Sequence, residues 1–232
     1  MDEESMRKIT LGTTYYNNPE YLSKFVKRNL EFCDELIIVD DGSPIGARPY
    51  INRHRKIKLY KCIKDYGFNS HGCRNLIMKK ASNDWCILID VDREFVDPKY
   101  AFDQFKDRRL IDNCLYKFAA FTRPDQSDVH VSVNDFLINK NHFWAAGGYD
   151  EEIIGVRMGD REYFDQLDHF GSRQCLVDIE LRLTRRPSSS IKEAKSPLDK
   201  KASKRSLKLI EQRIKKPDPN KPTLTFEWER VW

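Results

Sequence analysis

Two short apolar runs, ELIIVDDGSP from Glu35 and WCILIDVD from Trp85, each end in a pair of aspartates. Continuous apolar runs of this length, without alternation, are what strands buried on both faces show. Helical signals separate them. Asn18-Pro19 offers an N-cap and a first-turn proline, and Leu22, Phe25, Val26 and Leu30 then fall at the i, i+3, i+4, i+8 spacing of a core-facing stripe. KITLGTTY and IKLYKCI read as two further strands. Ser70 to Lys80 reads as a helix with Cys73, Leu76, Ile77 and Ala81 on one side, and Asp97-Pro98 opens another. Strands spaced by helices require right-handed crossovers and a largely parallel sheet, flanked by helices in an α/β fold. In such sheets ligands bind beyond the carboxyl ends of the strands. Both aspartate pairs are expected at that rim.

The second half has a different texture. LYKFAAFTR and DVHVSVNDFLI read as longer strands, antiparallel in character, NHFWAAGGYDEE as a turn-rich loop, DREYFDQLDHF as a short helix and QCLVDIELRLT as one more strand. Composition shifts at Arg185, where RRPSSSIKEAKSP has the character of a linker. Ser196-Pro197 opens a last helix to Lys216, with Leu198, Ala202, Leu209, Ile210 and Ile214 on one face, and the aromatic end TLTFEWERVW is expected to pack back. This divides the chain into a main domain over 1–184 and a basic extension over 185–232. The charge follows the same line: of the net +5, Arg185 to Lys221 carries 13 Lys/Arg against 4 Asp/Glu, a local +9 that leaves the remainder at −4. Such a tail suits a polyanion, DNA included, although a charge run is commonly just a solvated face.

A chain of 232 residues suffices for one substantial core. No run approaches the roughly 18 apolar residues of a membrane helix, and the opening MDEESMRK is too polar for a secretory signal, so the expectation is a soluble, cytoplasmic protein without a transmembrane segment. Cys33, Cys62, Cys73, Cys86, Cys114 and Cys175 include no CxxC pair, which argues for buried free thiols over a metal-thiolate cluster or disulfide framework.

The chemistry concentrates in a few positions. Asp90 and Asp92, read as i and i+2 on a strand, would leave on one face. Two such carboxylates repel each other and resist burial unless a cation sits beside them. Mg2+ or Mn2+ would take one or two of them and complete its shell from substrate phosphates. A solvated strand end is the plain alternative. Asp40-Asp41-Gly42-Ser43 is both a good generic turn and a polar rim that a substrate edge could approach. Asp65 and Gly67 precede a helix bearing Arg74, either a surface arginine or a fork for phosphate or carboxylate. His71 is read as a phosphate contact or a surface cap, and His169 as a third metal contact or an ordinary exposed histidine. Phe136, Phe143, Trp144 and Tyr149 are read as sugar-stacking rings or, more commonly for such residues, as core.

The ordered series ITLGTTYYN, ELIIVDDGSP, DYGFNSHGCRN, ILIDVD, FLINKNHFWAAGGYDE and GDREYF resembles the GT-A glycosyltransferases of the large inverting family, family 2 in kind, over roughly Lys8 to Leu183. No phosphate-loop or dinucleotide glycine fingerprint competes with it. The resemblance implies a nucleotide-diphosphate sugar donor, UDP-linked by preference, and a divalent metal, Mn2+ or Mg2+. Thr13, Thr14 and Tyr15 would line the nucleoside site and Asp41, with Asp40, would meet base or ribose. Asp65 and Arg74 would support the nucleotide and pyrophosphate as a pair. Asp90 would face ribose and sugar, Asp92 would hold the metal with Asp90 beside it, and the turn with Gly148 and Asp150 would lie beside donor sugar and acceptor. The catalytic base is implied at Asp160, with Glu162 as the alternative, because this chain has Asp-Arg-Glu where the family has adjacent acids. A single base without a paired nucleophile implies inversion. Two other functions fit the same residues: transfer to modified DNA bases through the basic tail, and a nucleotide-sugar binding protein without turnover. A nucleotidyltransferase has no place for the GGYDE–GDRE series.

Overall fold

The computed structural model describes residues 6–121, 129–155, 160–183 and 199–232. In chain order the elements are β1 (Ile9–Tyr15), α1 (Pro19–Asn29), β2 (Glu35–Asp40), β3 (Ile57–Cys62), α2 (Ser70–Lys80), β4 (Trp85–Leu88), β5 (Arg93–Phe95) and α3 (Pro98–Asp107). They continue as β6 (Cys114–Phe121), β7 (Val129–Asn139), α4 (Lys140–Ala145), α5 (Asp160–His169), β8 (Arg173–Leu183), α6 (Asp199–Lys215) and β9 (Trp228–Arg230). All nine strands share one sheet in the order β5-β8-β6-β7-β4-β1-β2-β3-β9.

The parallel part, β4-β1-β2-β3, is the expected one. Alternation along β2 shows why its run is apolar throughout. Leu36 and Ile38 enter a core with Leu22, Phe25, Phe102 and Phe105 of α1 and α3, while Ile37 and Val39 enter a second core with Leu76 and Ile77 of α2 and Tyr163, Phe164 and Leu167 of α5. Helices thus cover both faces, and each of the four apolar β2 side chains enters one of the two cores. Beyond β4 the sheet turns mixed: β7 runs antiparallel to β4 and β6, β8 parallel to β6, and β5 antiparallel to β8. The C-terminal aromatic end does pack back, as β9 antiparallel to β3.

Three local expectations are corrected. NHFWAAGG is not loop from its start, because Asn139 caps α4 by accepting from the Asn141 amide at 2.8 Å. Asn18 makes no side-chain cap bond at α1, although Pro19 occupies the first turn; at α3 Asp97 does cap, accepting from Tyr100 N at 3.0 Å. Finally β4 stops at Leu88, where its ladders to Gly12 of β1 and Phe136 of β7 both end. Asp90 and Asp92 therefore sit in the turn toward β5, and no strand alternation places them on one face. Ser196-Pro197 and the stretch from 184 to 198 lie outside the described residues, and among the described ones no helix is long and apolar enough to cross a membrane.

Candidate active site

Arg74 is the centre of the site. It lies in the first half of α2, whose face toward the sheet is set by Cys73, Leu76 and Ile77, and it is 3% exposed, so it is not a surface arginine. Its Nη2 donates to Asp90 Oδ1 at 2.8 Å, and its Nη1 donates to Asp160 Oδ1 at 2.8 Å and to the Tyr149 hydroxyl at 2.9 Å. The Tyr149 hydroxyl in turn donates to Asp160 Oδ1 at 2.8 Å. Burial alone would depress the guanidinium, but Tyr149, Asp160 and Asp90 around it more than offset that and hold it protonated. One side chain thereby joins the turn after β4 to the first residue of α5.

Asp90, a third exposed, is held on its inner side. Its Oδ2 accepts from Asn134 Nδ2 at 3.1 Å, and its backbone amide donates to Asp135 Oδ1 at 2.8 Å. Asp135 is itself buried and pushed up to about 7 by desolvation and by the Asp90 charge. Asp92 is half-buried in the same turn. Among the described residues the one group of three or more candidate ligand side chains is elsewhere: Asp41, Cys62 and Cys73, all buried. Those thiols, distant in sequence, come within 3.9 Å of each other through β3 and α2, and as a soft donor set they suit neither Mg2+ nor Mn2+. Asp90 and Asp92 offer hard carboxylate oxygens of the kind Mg2+ or Mn2+ takes alongside phosphate oxygens, with Asp90 already giving Oδ1 to Arg74 and Oδ2 to Asn134.

The residues that the resemblance assigns to the nucleoside divide into those that remain near the rim and those absorbed by the scaffold. Asp40 builds the following loop, Oδ1 accepting from Ser43 N at 2.9 Å and Oδ2 from Ala47 N at 2.8 Å. Asp41 Oδ2 accepts from Asn69 N at 2.9 Å, and burial pushes its carboxyl up to about 8. Gly42 has φ +71°, and a Cβ there would lie 2.5 Å from the Lys64 carbonyl oxygen, so it serves the approach of the β3–α2 loop. Thr13 is buried and Thr14 half-buried. Tyr15 is a correction: it is fully buried in the core with its hydroxyl donating to the Ile45 carbonyl at 2.8 Å, because alternation turns it to the face opposite Thr14. Asp65 does not pair with Arg74; it accepts from the Tyr16 hydroxyl at 2.9 Å and from Gly67 N at 2.8 Å.

On the opposite side, Gly147 and Gly148 take φ +85° and +65°, turning the chain out of α4. Asn75 clamps the next residue, accepting from Tyr149 N and donating to Tyr149 O, both at 2.9 Å. The Asp150 carboxylate accepts from Arg213 Nε at 2.7 Å and from Glu152 N at 2.9 Å, so it is engaged by α6 and its own turn. Its carbonyl meets His71 Nδ1 at 2.8 Å; His71 is buried within α2, neither surface cap nor rim group, and desolvation lowers its pKa. Asp160 opens α5, 8% exposed, while Glu162 is 1% exposed and faces Lys221, whose Nζ lies 3.7 Å from Oε1. Burial pushes the Glu162 carboxyl up to about 7. Gly159 lies outside the described residues.

Two auxiliary readings fall away. His169 is the exposed last residue of α5, about 13 Å along the helix from Asp160 at 1.5 Å per residue, so it is no partner of that site. Phe136, Phe143 and Tyr149 are core, Tyr149 stacking on Tyr163 at 4.2 Å between centroids; Trp144 is half-buried. Residue types alone did not reveal the Tyr149 hydroxyl, Asn75, Asn134, Asp135 or Arg213 as parts of the cluster. Of these, only the polar Asn134-Asp135 step interrupting the apolar end of β7 was a signal.

Residues 10–101 match the model of glycosyl transferase family 2. No curated protein sequence matches the chain. Among solved structures the chain is similar to S. aureus TarS 1–349 in complex with UDP-GlcNAc, at TM-score 0.67 and 16% identity over 91% of this chain and 67% of that one. It is similar to GalNAc-T7 with UDP, GalNAc and Mn2+, at 0.62 and 13% over 89% of this chain and 48% of that one, so it spans about half of that protein. It is also similar to the mannosyltransferase PcManGT from Pyrobaculum calidifontis in complex with GDP-Man and Mn2+, at 0.59 and 14% over 90% and 72%. The expected resemblance is met: the chain has the GT-A fold and its residues 10–101 match the family-2 model, which together support a glycosyltransferase.

Proposed function

We propose that the protein transfers a sugar from a nucleoside diphosphate donor, UDP-linked by preference, to an acceptor hydroxyl with inversion, Asp160 being the base. The Arg74 bridge carries this reading. A donor-side carboxylate and the candidate base are held on one guanidinium at 2.8 Å each, which fixes the two ends of an in-line displacement relative to each other. Both bonds received by Asp160 fall on Oδ1. Oδ2 is therefore the oxygen assigned to the acceptor proton. As the acceptor oxygen bonds to the anomeric carbon, the bond from that carbon to the diphosphate breaks, its electron pair leaves on the diphosphate, and the proton passes to Oδ2. General-base assistance of this kind contributes about 10²–10⁴-fold. Arg74 places positive charge between base and donor turn, and Asp41 and Asp65 with Thr13 and Thr14 frame the nucleoside side.

Asp92 with Asp90 would hold Mn2+ or Mg2+, which when bound neutralises charge on the departing diphosphate. Mn2+ in two neighbours supports a divalent metal here; the neighbours carry both uridine and guanosine nucleotides, so the UDP preference rests on the family resemblance alone. For a polyanionic acceptor, such as DNA, the support is charge: α6 exposes Lys204, Arg205, Lys208 and Lys215, with exposed Lys216 directly after it. The test is a donor screen with Mn2+ present, reading hydrolysis and thermal protection, followed by titration of the matching nucleoside diphosphate into wild type and Asp92→Ala. We expect binding to require the metal and to weaken by at least about tenfold in the variant. Equal, metal-independent affinity in both proteins would overturn the metal assignment.

A further inference from the structure

The three consecutive acids after Tyr149 are each held by the C-terminal segment. Asp150 pairs with Arg213 at 2.7 Å. Glu151, buried, accepts from Leu224 N at 2.6 Å, Thr225 N at 2.8 Å and Thr225 Oγ1 at 3.0 Å, while its Oε1 also takes Asn75 Nδ2 at 2.8 Å. Glu152 pairs with Arg205 at 2.8 Å and with Arg213 at 3.2 Å. Before the same turn, the backbone of Pro219 packs where a Cβ on Gly147 would stand. Behind it, Ile153 shares a small apolar cluster with Leu209, Ile210 and Ile214 of α6. Every residue from 150 to 153 therefore contacts α6 or the segment that follows it.

We propose that the segment from Arg205 to Thr225 is a strap that sets the position of Tyr149, and through its hydroxyl Asp160, with Arg213 as the positioning residue. This rests on the reading of Asp160 as base. The chain of contacts is short: Arg213 fixes Asp150, Asp150 adjoins Tyr149, and Tyr149 and Arg74 together hold Asp160 Oδ1. The strap touches the α5 side of the site, while Asp90 is held by Arg74, Asn134 and Asp135 from the sheet. Its loss should misplace the base without loosening the donor. Misplacement on the ångström scale can cost up to about 10²-fold in rate.

The experiment compares full-length wild type, Arg213→Met, Arg213→Lys and Asp150→Asn, measuring kcat and KM with the best donor of the screen and Kd for its nucleoside diphosphate. Arg213→Met should lower kcat about tenfold with Kd within about twofold, and Arg213→Lys should recover most of the loss because it restores the charge opposite Asp150. Should Arg213→Met fail to fold, Asp150→Asn must show the same loss confined to kcat. Unchanged kcat in either variant, equal losses in kcat and affinity, or no rescue by lysine would overturn the strap. A wild type that turns over no nucleotide sugar would instead remove the parent reading, and the strap with it.

Discussion

The two halves of the sheet hold their parts of the site by different means. In β1 to β4 the backbone does the holding: side chains alternate into two cores, and polar residues at the strand exits are fixed by nearby amides, as Asp40 is by Ser43 and Ala47. From β6 onward the site is assembled from side chains distant in sequence. Arg74 and Asp160 are 86 positions apart, Asp150 and Arg213 are 63 apart, and the Glu162–Lys221 pair is buried with neither carboxylate oxygen hydrogen-bonded among the described residues. A scaffold of the first kind tolerates exchange of a single side chain. One of the second kind does not, because breaking a buried charged pair strands the remaining charge.

The largest effect that would sharpen this contrast is at the seam. Arg74→Met leaves Asp90 and Asp160 without their shared cation, a loss of about 3–5 kcal/mol when a buried pair is broken from one side. Both donor affinity and kcat should fall, in contrast to the rate-only loss expected of Arg213→Met. A variant that lost only one of the two would show that the halves are not joined through this guanidinium.

A smaller effect comes from pH. Asp41, in the first half, and Glu162, in the second, are pushed up to about 8 and about 7, chiefly by burial. Both bind their proton more tightly folded than unfolded. The stability they contribute is fully present below the ordinary carboxylate range and is lost as pH rises through 7 to 8. Thermal melts from pH 5 to pH 8 without nucleotide should fall on the order of 5 °C. Asp41→Asn and Glu162→Gln should each flatten part of the slope. A melting temperature that rises across that interval would contradict the burial of these carboxyls as neutral acids.

How much of this the sequence disclosed follows the same division. The β2 and β4 runs, the α1 stripe and the acidic strand exits are local signals, and the alternation of strands and helices with its largely parallel pairing follows from them. Asp90, Arg74 and Asp160 each stood out in the sequence, but not that one guanidinium joins them; Asp65 and Arg74 were expected to support the nucleotide together, and the structure gives them separate partners. Pairing across 86 positions leaves no local periodicity. Tyr15 was misplaced because the first strand's face could be chosen only once β2 and the loop at Ile45 were packed around it. The C-terminal segment offered charge and composition, which suggested a separate extension. Its engagement with 150–153 depends on single contacts from Arg213, Leu224 and Thr225 that composition does not encode.

The central claim is that Asp160 is the base while Glu162 is part of the buried support beneath it. The direct measurement is the single-turnover transfer rate and the nucleoside diphosphate affinity of Asp160→Asn and Glu162→Gln, side by side with wild type. The account predicts that Asp160→Asn loses about 10²–10⁴-fold in rate with affinity within about twofold, and that Glu162→Gln loses less than about tenfold. A Glu162→Gln protein without turnover beside an Asp160→Asn protein that still transfers would contradict it.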